Sequence, residues 1–166
     1  MLWGYANGWF PEYLTGDDDP LYAKLRFLLK HGFREMPLSL TDVSAMDERY
    51  RHALGRFLSD HDLHITPQVW YDYVHADVDE AKQREDDIVE GLRAHSTMLR
   101  NLTVFTMAGA GQRFDRGLAP EEKLRRLSER LAPLAAVCHE LGTPLAINNQ
   151  GDFYMADFVA LCETTP

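Results

Sequence analysis

Short apolar runs alternate along this chain with longer amphipathic stretches. From Pro20 to His31 the apolar positions Leu21, Leu25, Leu28 and Leu29 recur at helical spacing, with Phe27 beside the stripe and Gly32 as a C-terminal stop. The spacing predicts a second helix from about Ala45 to Asp62, with Tyr50, Ala53, Leu54, Phe57 and Leu58 on one face, and a long third one from about Asp77 to Arg100, carrying Ala81, Ile88, Leu92 and Leu99. A fourth helix opens at Pro120-Glu-Glu. It carries Leu124, Leu127, Leu131, Leu134, Val137, Cys138 and Leu141 along one stripe to a Gly142 cap, with a bend expected at Pro133. Phe158, Val159 and Leu161 mark a final short helix.

Between these helices lie five strand candidates: Leu2 to Gly8, Phe33 to Ser39 with Pro37 as its closing turn, His64 to Trp70, Asn101 to Met107, and Pro144 to Ile147. Strands and helices in regular alternation, about 33 residues per unit, indicate parallel βαβ units with right-handed crossovers. Two architectures compete. An open doubly wound sheet is complete at 166 residues, whereas a closed eight-unit barrel needs ~200 or more.

Composition narrows the function more than the fold. A hydrophobic fraction of 45% with 26% charged residues suits one soluble domain spanning 1–166, and no apolar run approaches the ~20 residues of a membrane span. Met1-Leu-Trp-Gly-Tyr lacks the basic and apolar regions of a secretory signal, so the cytoplasm is the expected compartment. A net charge of -9, with the Lys and Arg residues dispersed, disfavours nucleic acid as a partner. Cys138 and Cys162 lack a C-x-x-C spacing and are expected to be buried, reduced packing residues. Asp17-Asp18-Asp19 precedes Pro20, where a helix N-terminus favours acids, and lacks the spaced ligands of a calcium loop.

The stretch with the most chemistry is Leu145-Ala-Ile-Asn-Asn-Gln-Gly-Asp-Phe153. An apolar triplet runs straight into Asn148, Asn149, Gln150 and Asp152, so amides and a carboxylate gather past a strand's C-terminal end, where α/β folds build ligand sites. The longer segment Leu131 to Phe153 resembles the fourth helix and fifth strand of xylose isomerase-like TIM barrel proteins, the sugar phosphate isomerase/epimerase superfamily. In that family the strand commonly continues as Glu-Asn-His-Gly-Asp. Gly4-Tyr5 and Gly32-Phe33-Arg34-Glu35 are similar to its first and second strand signatures, so the resemblance extends over the whole chain.

The resemblance implies a partial (β/α) TIM barrel of about five parallel βα units, truncated after the fifth. It also implies a sugar or sugar phosphate as ligand, and a divalent Mn or Mg ion that assists proton transfer between adjacent sugar carbons. Asn148 falls where the family has a metal-binding Glu, and Gln150 where it has a His. A neutral amide oxygen can ligate a cation, but it removes one negative charge and cannot serve as a base. Catalysis by this chain alone is therefore expected to be impaired. The alternative is a non-catalytic half-barrel that binds a carbohydrate-like ligand or assembles as a homo-oligomer to cover its open edges. The His ligands of the family's apurinic endonuclease branch are replaced by Thr66-Pro-Gln68 and Thr106-Met-Ala-Gly109.

The expected substrate-binding residues are Glu35, Gln68, Trp70, Asn148, Gln150 and Asp152; no residue is assigned a catalytic role. Glu35 is placed at the end of the second strand, facing the barrel mouth or held in a salt bridge. Trp70, Tyr71 and Tyr73 form either an aromatic wall for a sugar ring or a hydrophobic rim. His61 and His64 have H-x-x-H spacing but fall at a helix-to-strand turn, where solvated histidines are expected. Gly109-Ala-Gly111 lacks the third glycine of a dinucleotide loop.

Overall fold

The structure is a computed structural model that describes Gly4, Tyr5, Phe10, Pro11, Leu14, residues 19–109 and 117–149, Gly151, and residues 153–164. Its elements are α1 (Pro20–His31), β1 (Glu35–Ser39), α2 (Leu40–Ala45), α3 (Glu48–Asp60), β2 (His64–Gln68), α4 (Val78–Leu99), β3 (Val104–Met107), α5 (Pro120–Glu140), β4 (Leu145–Asn148) and α6 (Met155–Thr164).

The four strands are parallel and lie in the order β1-β2-β3-β4. That order decides between the two architectures. A doubly wound sheet reverses direction at a switch point and places helices on both faces, whereas right-handed crossovers between successive neighbours place every helix on one face. The chain is a partial (β/α) barrel, an open sheet of barrel type.

Burial along the strands agrees. Met36, Leu38, Ile65 and Val104 point into the helical layer and are buried, while the alternate positions Glu35, Pro37, Ser39, Thr66, Gln68, Phe105 and Met107 are half-buried on the other face. Two apolar clusters fill the helix side. One joins α1, α3, β1 and β2 through Leu25, Leu28, Leu54, Leu58 and Ile65; the other joins α4, α5 and α6 through Leu92, Leu127, Leu131, Leu134 and Phe158.

Of the expected first strand, only Gly4 and Tyr5 are described. Gly4 forms a parallel bridge with Glu35, and the Tyr5 N–H donates to the Glu35 carbonyl at 2.8 Å. Gly4 and Tyr5 thus flank β1, where a first strand would lie.

Pro37 is not a closing turn but sits in the middle of β1, paired with Thr66. The bond from the His64 N–H to the Arg34 carbonyl sets the phase of the ladder, so the Pro37 nitrogen faces away from β2, toward the edge that Gly4 and Tyr5 flank, and no hydrogen bond of the β1–β2 ladder is lost. Pro67 in β2 turns its nitrogen toward β3. The register between those strands is correspondingly short, a single pair of Gln68 with Phe105.

The expected helix over 45–62 is α3, and a short helix that the pattern did not predict, α2, precedes it. Ser39 caps α2 by accepting from the Asp42 N–H at 3.4 Å, and Asp47 caps α3 by accepting from the Tyr50 N–H at 2.8 Å, so the chain breaks at Met46 and restarts. The other ends agree with the sequence pattern. Asp19 caps α1, Gly32 closes it with φ 76, and Asp77 caps α4. The helix α5 runs on through Pro133.

Candidate functional site

Strand parity places Asn148 and Ala146 on the open face, because Met107 pairs with Asn148 and Phe105 with Ala146. Gln68 pairs with Phe105 on that same face. Gln68 and Asn148 therefore both stand on the open face at the C-terminal ends of their strands, and neither amide has a side-chain partner among the described residues. Asn149 differs. Its Nδ2 donates to the Phe153 carbonyl at 2.9 Å and its Oδ1 accepts from the N–H groups of Gly151 and Phe153 at 3.1 and 3.3 Å, so this amide ties the loop backbone together. Gln150 and Asp152 lie outside the described residues.

Glu35 opens β1 instead of ending it, which puts it at the end of the sheet away from Asn148. Its carboxylate accepts a hydrogen bond from the Thr66 hydroxyl, across the open face. The structure brings Gln68 and Trp70 together and leaves Glu35 apart from both.

No three-residue aromatic wall exists. Trp70 is 43% exposed, but Tyr71 and Tyr73 are buried with their rings 4.3 Å apart. The Tyr71 hydroxyl donates to Glu85 at 2.9 Å, and that of Tyr73 meets Thr106 at 2.7 Å. Buried phenols need partners for their hydroxyls, and here they have them. The segment carrying Trp70 is further held by α5. Arg130 donates to the carbonyls of Tyr73 and Ala76, both at 2.7 Å, and Arg126 donates to the Val74 carbonyl at 3.0 Å.

Gln68 and Trp70 open onto a cleft of about 440 Å³ between α2 and α4. The helices meet closely because Gly91 lacks a side chain: a Cβ there would stand 3.2 Å from Leu40 Cδ2 and 3.3 Å from Ser44 Oγ. Arg51, Arg84, Asp87, Glu90 and His95 supply most of the cleft's charge. Arg51 is held by the carbonyls of Ser44 and Met46. Burial, and then the Arg51 charge, lower the pKa of His95, which favours its neutral form. Sequence reasoning missed this cleft because it missed α2. The signal was Ser39 followed three positions later by Asp42, a helix-start pattern.

Two other expectations are corrected. His64 is not a solvated turn residue: it is 8% exposed, with Nδ1 2.7 Å from the Arg100 carbonyl. Cys138 is buried as expected, but Cys162 is exposed. Among the described residues no helix is long and apolar enough to cross a membrane, and no group of three or more His, Cys, Asp or Glu side chains is placed to hold a metal ion. On the described part of the open face, Asn148 stands across from Met107 and two places past Ala146, neither of which supplies a side-chain oxygen to a hard divalent cation.

No protein-family model and no curated protein matches the chain. Solved structures do. A D-psicose 3-epimerase solved in the presence of D-fructose superposes with a TM-score of 0.73 at 12% identity, over 98% of this chain and 59% of that one. A xylose isomerase domain protein from Alicyclobacillus acidocaldarius gives 0.70 at 14% identity, over 98% and 59%. The IolI protein, solved with a zinc atom, gives 0.71 at 13% identity, over 99% and 59%. The fold is that of the xylose isomerase-like TIM barrels. The chain spans about three-fifths of the length of these solved structures.

Proposed function

We propose that this chain is the sugar-binding part of a sugar or sugar phosphate isomerase/epimerase-like barrel, with its ligand seated over the C-terminal ends of the strands. The observation that carries this reading is the pair of amides, Gln68 and Asn148, on one open face and without a side-chain partner among the described residues. An amide offers both a donor and an acceptor, the complement of a sugar hydroxyl. Likeness in fold to sugar epimerases supports the same reading.

In a full barrel the resemblance implies metal-assisted proton transfer between adjacent sugar carbons. Within these residues Asn148 stands where that chemistry would need a carboxylate, and an amide neither neutralises a cation nor accepts the proton. The chain alone accordingly binds sugar without turning it over.

The test is a thermal-shift and calorimetric titration with D-fructose, D-tagatose and D-psicose, with and without Mn²⁺. Saturable binding that weakens in Asn148→Ala, with no interconversion of the sugars and no shift from the ion alone, is the expected result. Absence of binding by all three ketohexoses would overturn the sugar reading, and sugar turnover dependent on Mn²⁺ would overturn the loss of catalysis.

A further inference from the structure

The cleft between α2 and α4 meets the open face at Gln68 but is walled by other elements, and we propose that it is a second site, one that takes a neutral pyranoside docked on the face of Trp70. This inference rests on the sugar-binding reading above and names a ligand class for the rim beside the open face. Its first support is Trp70 itself. A 43% exposed indole, at the edge of a concave cleft and on a loop fixed by Arg126 and Arg130, is a rigid apolar platform for the C–H face of a sugar ring. The second support is the polar lining. Arg84 donates, Glu90 accepts, and neither has a side-chain partner among the described residues; Asp87, one oxygen of which accepts from Gln83 at 2.8 Å, adds an acceptor, and a neutral-leaning His95 can do both. Hydroxyl groups, which donate and accept, match such a mixed rim.

The same lining argues against a phosphorylated sugar. Asp87 and Glu90 face the cleft alongside Arg84, and Arg51 already has a guanidinium nitrogen committed to the Ser44 and Met46 carbonyls. No excess of free cation remains to offset the desolvation of a phosphate, and two carboxylates would repel it. A volume of about 440 Å³ accommodates a single pyranose ring with room for a glycosidic substituent.

The experiment is saturation-transfer NMR on the intact chain with methyl β-D-glucopyranoside and its 6-phosphate. The expected result is transfer to the ring protons of the neutral glycoside, with affinity falling about tenfold in Trp70→Ala, and also in Ala94→Trp, which fills the cleft from an exposed position on α4. Circular dichroism checks that both variants stay folded. Tighter binding of the phosphate overturns the neutral-ligand assignment. Absence of glycoside binding, or binding lost in Asn148→Ala and unchanged in the two cleft variants, overturns the site. Because the ketohexose titration probes Asn148 and this one probes Trp70 and Ala94, failure of the cleft is distinguishable from failure of the sugar-binding reading.

Discussion

Tyr73 and Thr106 meet hydroxyl to hydroxyl at 2.7 Å in a contact sealed from solvent on both sides, 2% and 0% exposed. It joins the loop after β2 to the helix-facing side of β3, and so couples the segment that carries Trp70 to the sheet. Tyr73→Phe leaves the Thr106 hydroxyl buried without this partner and is expected to destabilise the chain by about 1–3 kcal/mol. Adding Thr106→Val removes the stranded group, so the double variant should lose less than Tyr73→Phe alone when both are unfolded in urea. A double variant at least as unstable as the single one would place the role of Tyr73 in packing instead.

Arg130 holds the same loop from the other side. Its bonds to the Tyr73 and Ala76 carbonyls, both 2.7 Å, are charge-assisted and half-buried. Arg130→Met should raise amide exchange across residues 69–77 and cost about 1.5–3 kcal/mol, while Arg130→Lys, with a point charge in place of a fork, should recover only part of it. Unchanged exchange in the Met variant would show the loop to be held by its buried side chains alone.

Gly91 sets the distance between α2 and α4. A valine there would push into Leu40 and Ser44 at contacts of 3.2 to 3.3 Å measured from the Cβ alone. Gly91→Val is expected to destabilise by about 1–3 kcal/mol through overpacking, and to alter glycoside binding because the cleft shares this wall. Denaturation midpoints and saturation transfer, measured on the same sample, check both effects.

The buried phenols predict the alkaline limit of stability. Burial raises Tyr71 well above the ordinary phenol range, aided by the hydrogen bond to Glu85 and its charge; Tyr73 is pushed up to about 12, with burial as the first cause. An acid whose pKa is higher folded than unfolded stabilises the fold fully below its unfolded value, near 10, and loses that contribution as pH rises toward the folded value. Stability should therefore be flat through neutral pH and fall steeply above about pH 10. Tyrosinate absorbance at 295 nm from these two residues should appear only with unfolding, and Tyr71→Phe should flatten the alkaline slope. Early titration of both phenols in the folded protein would contradict the burial.

Much of the architecture was legible because it rests on local periodicity. The stripes of α1, α4 and α5, the Asp19 and Asp77 caps and the Gly32 stop are properties of a few consecutive residues, and the structure places them where the pattern does. The helix α2 was legible only in its Ser39 cap, because six residues are too few to show an apolar stripe. The place of Pro37 was not legible, because a proline's place in a sheet depends on which neighbour its nitrogen faces, and that is a fact about pairing.

The sequence by itself determined a parallel α/β fold and a polar strand end at Asn148, since strand alternation and turn chemistry act over a few residues. Only the tertiary structure decided that the sheet winds in one direction, that Tyr71 and Tyr73 turn inward while Trp70 stays out, that Glu35 sits at the far end from Asn148, and that α2 and α4 enclose a cleft beside Trp70. Each of these depends on strand order or on contacts between residues tens of positions apart, where packing of whole elements, and not local preference, sets the free energy.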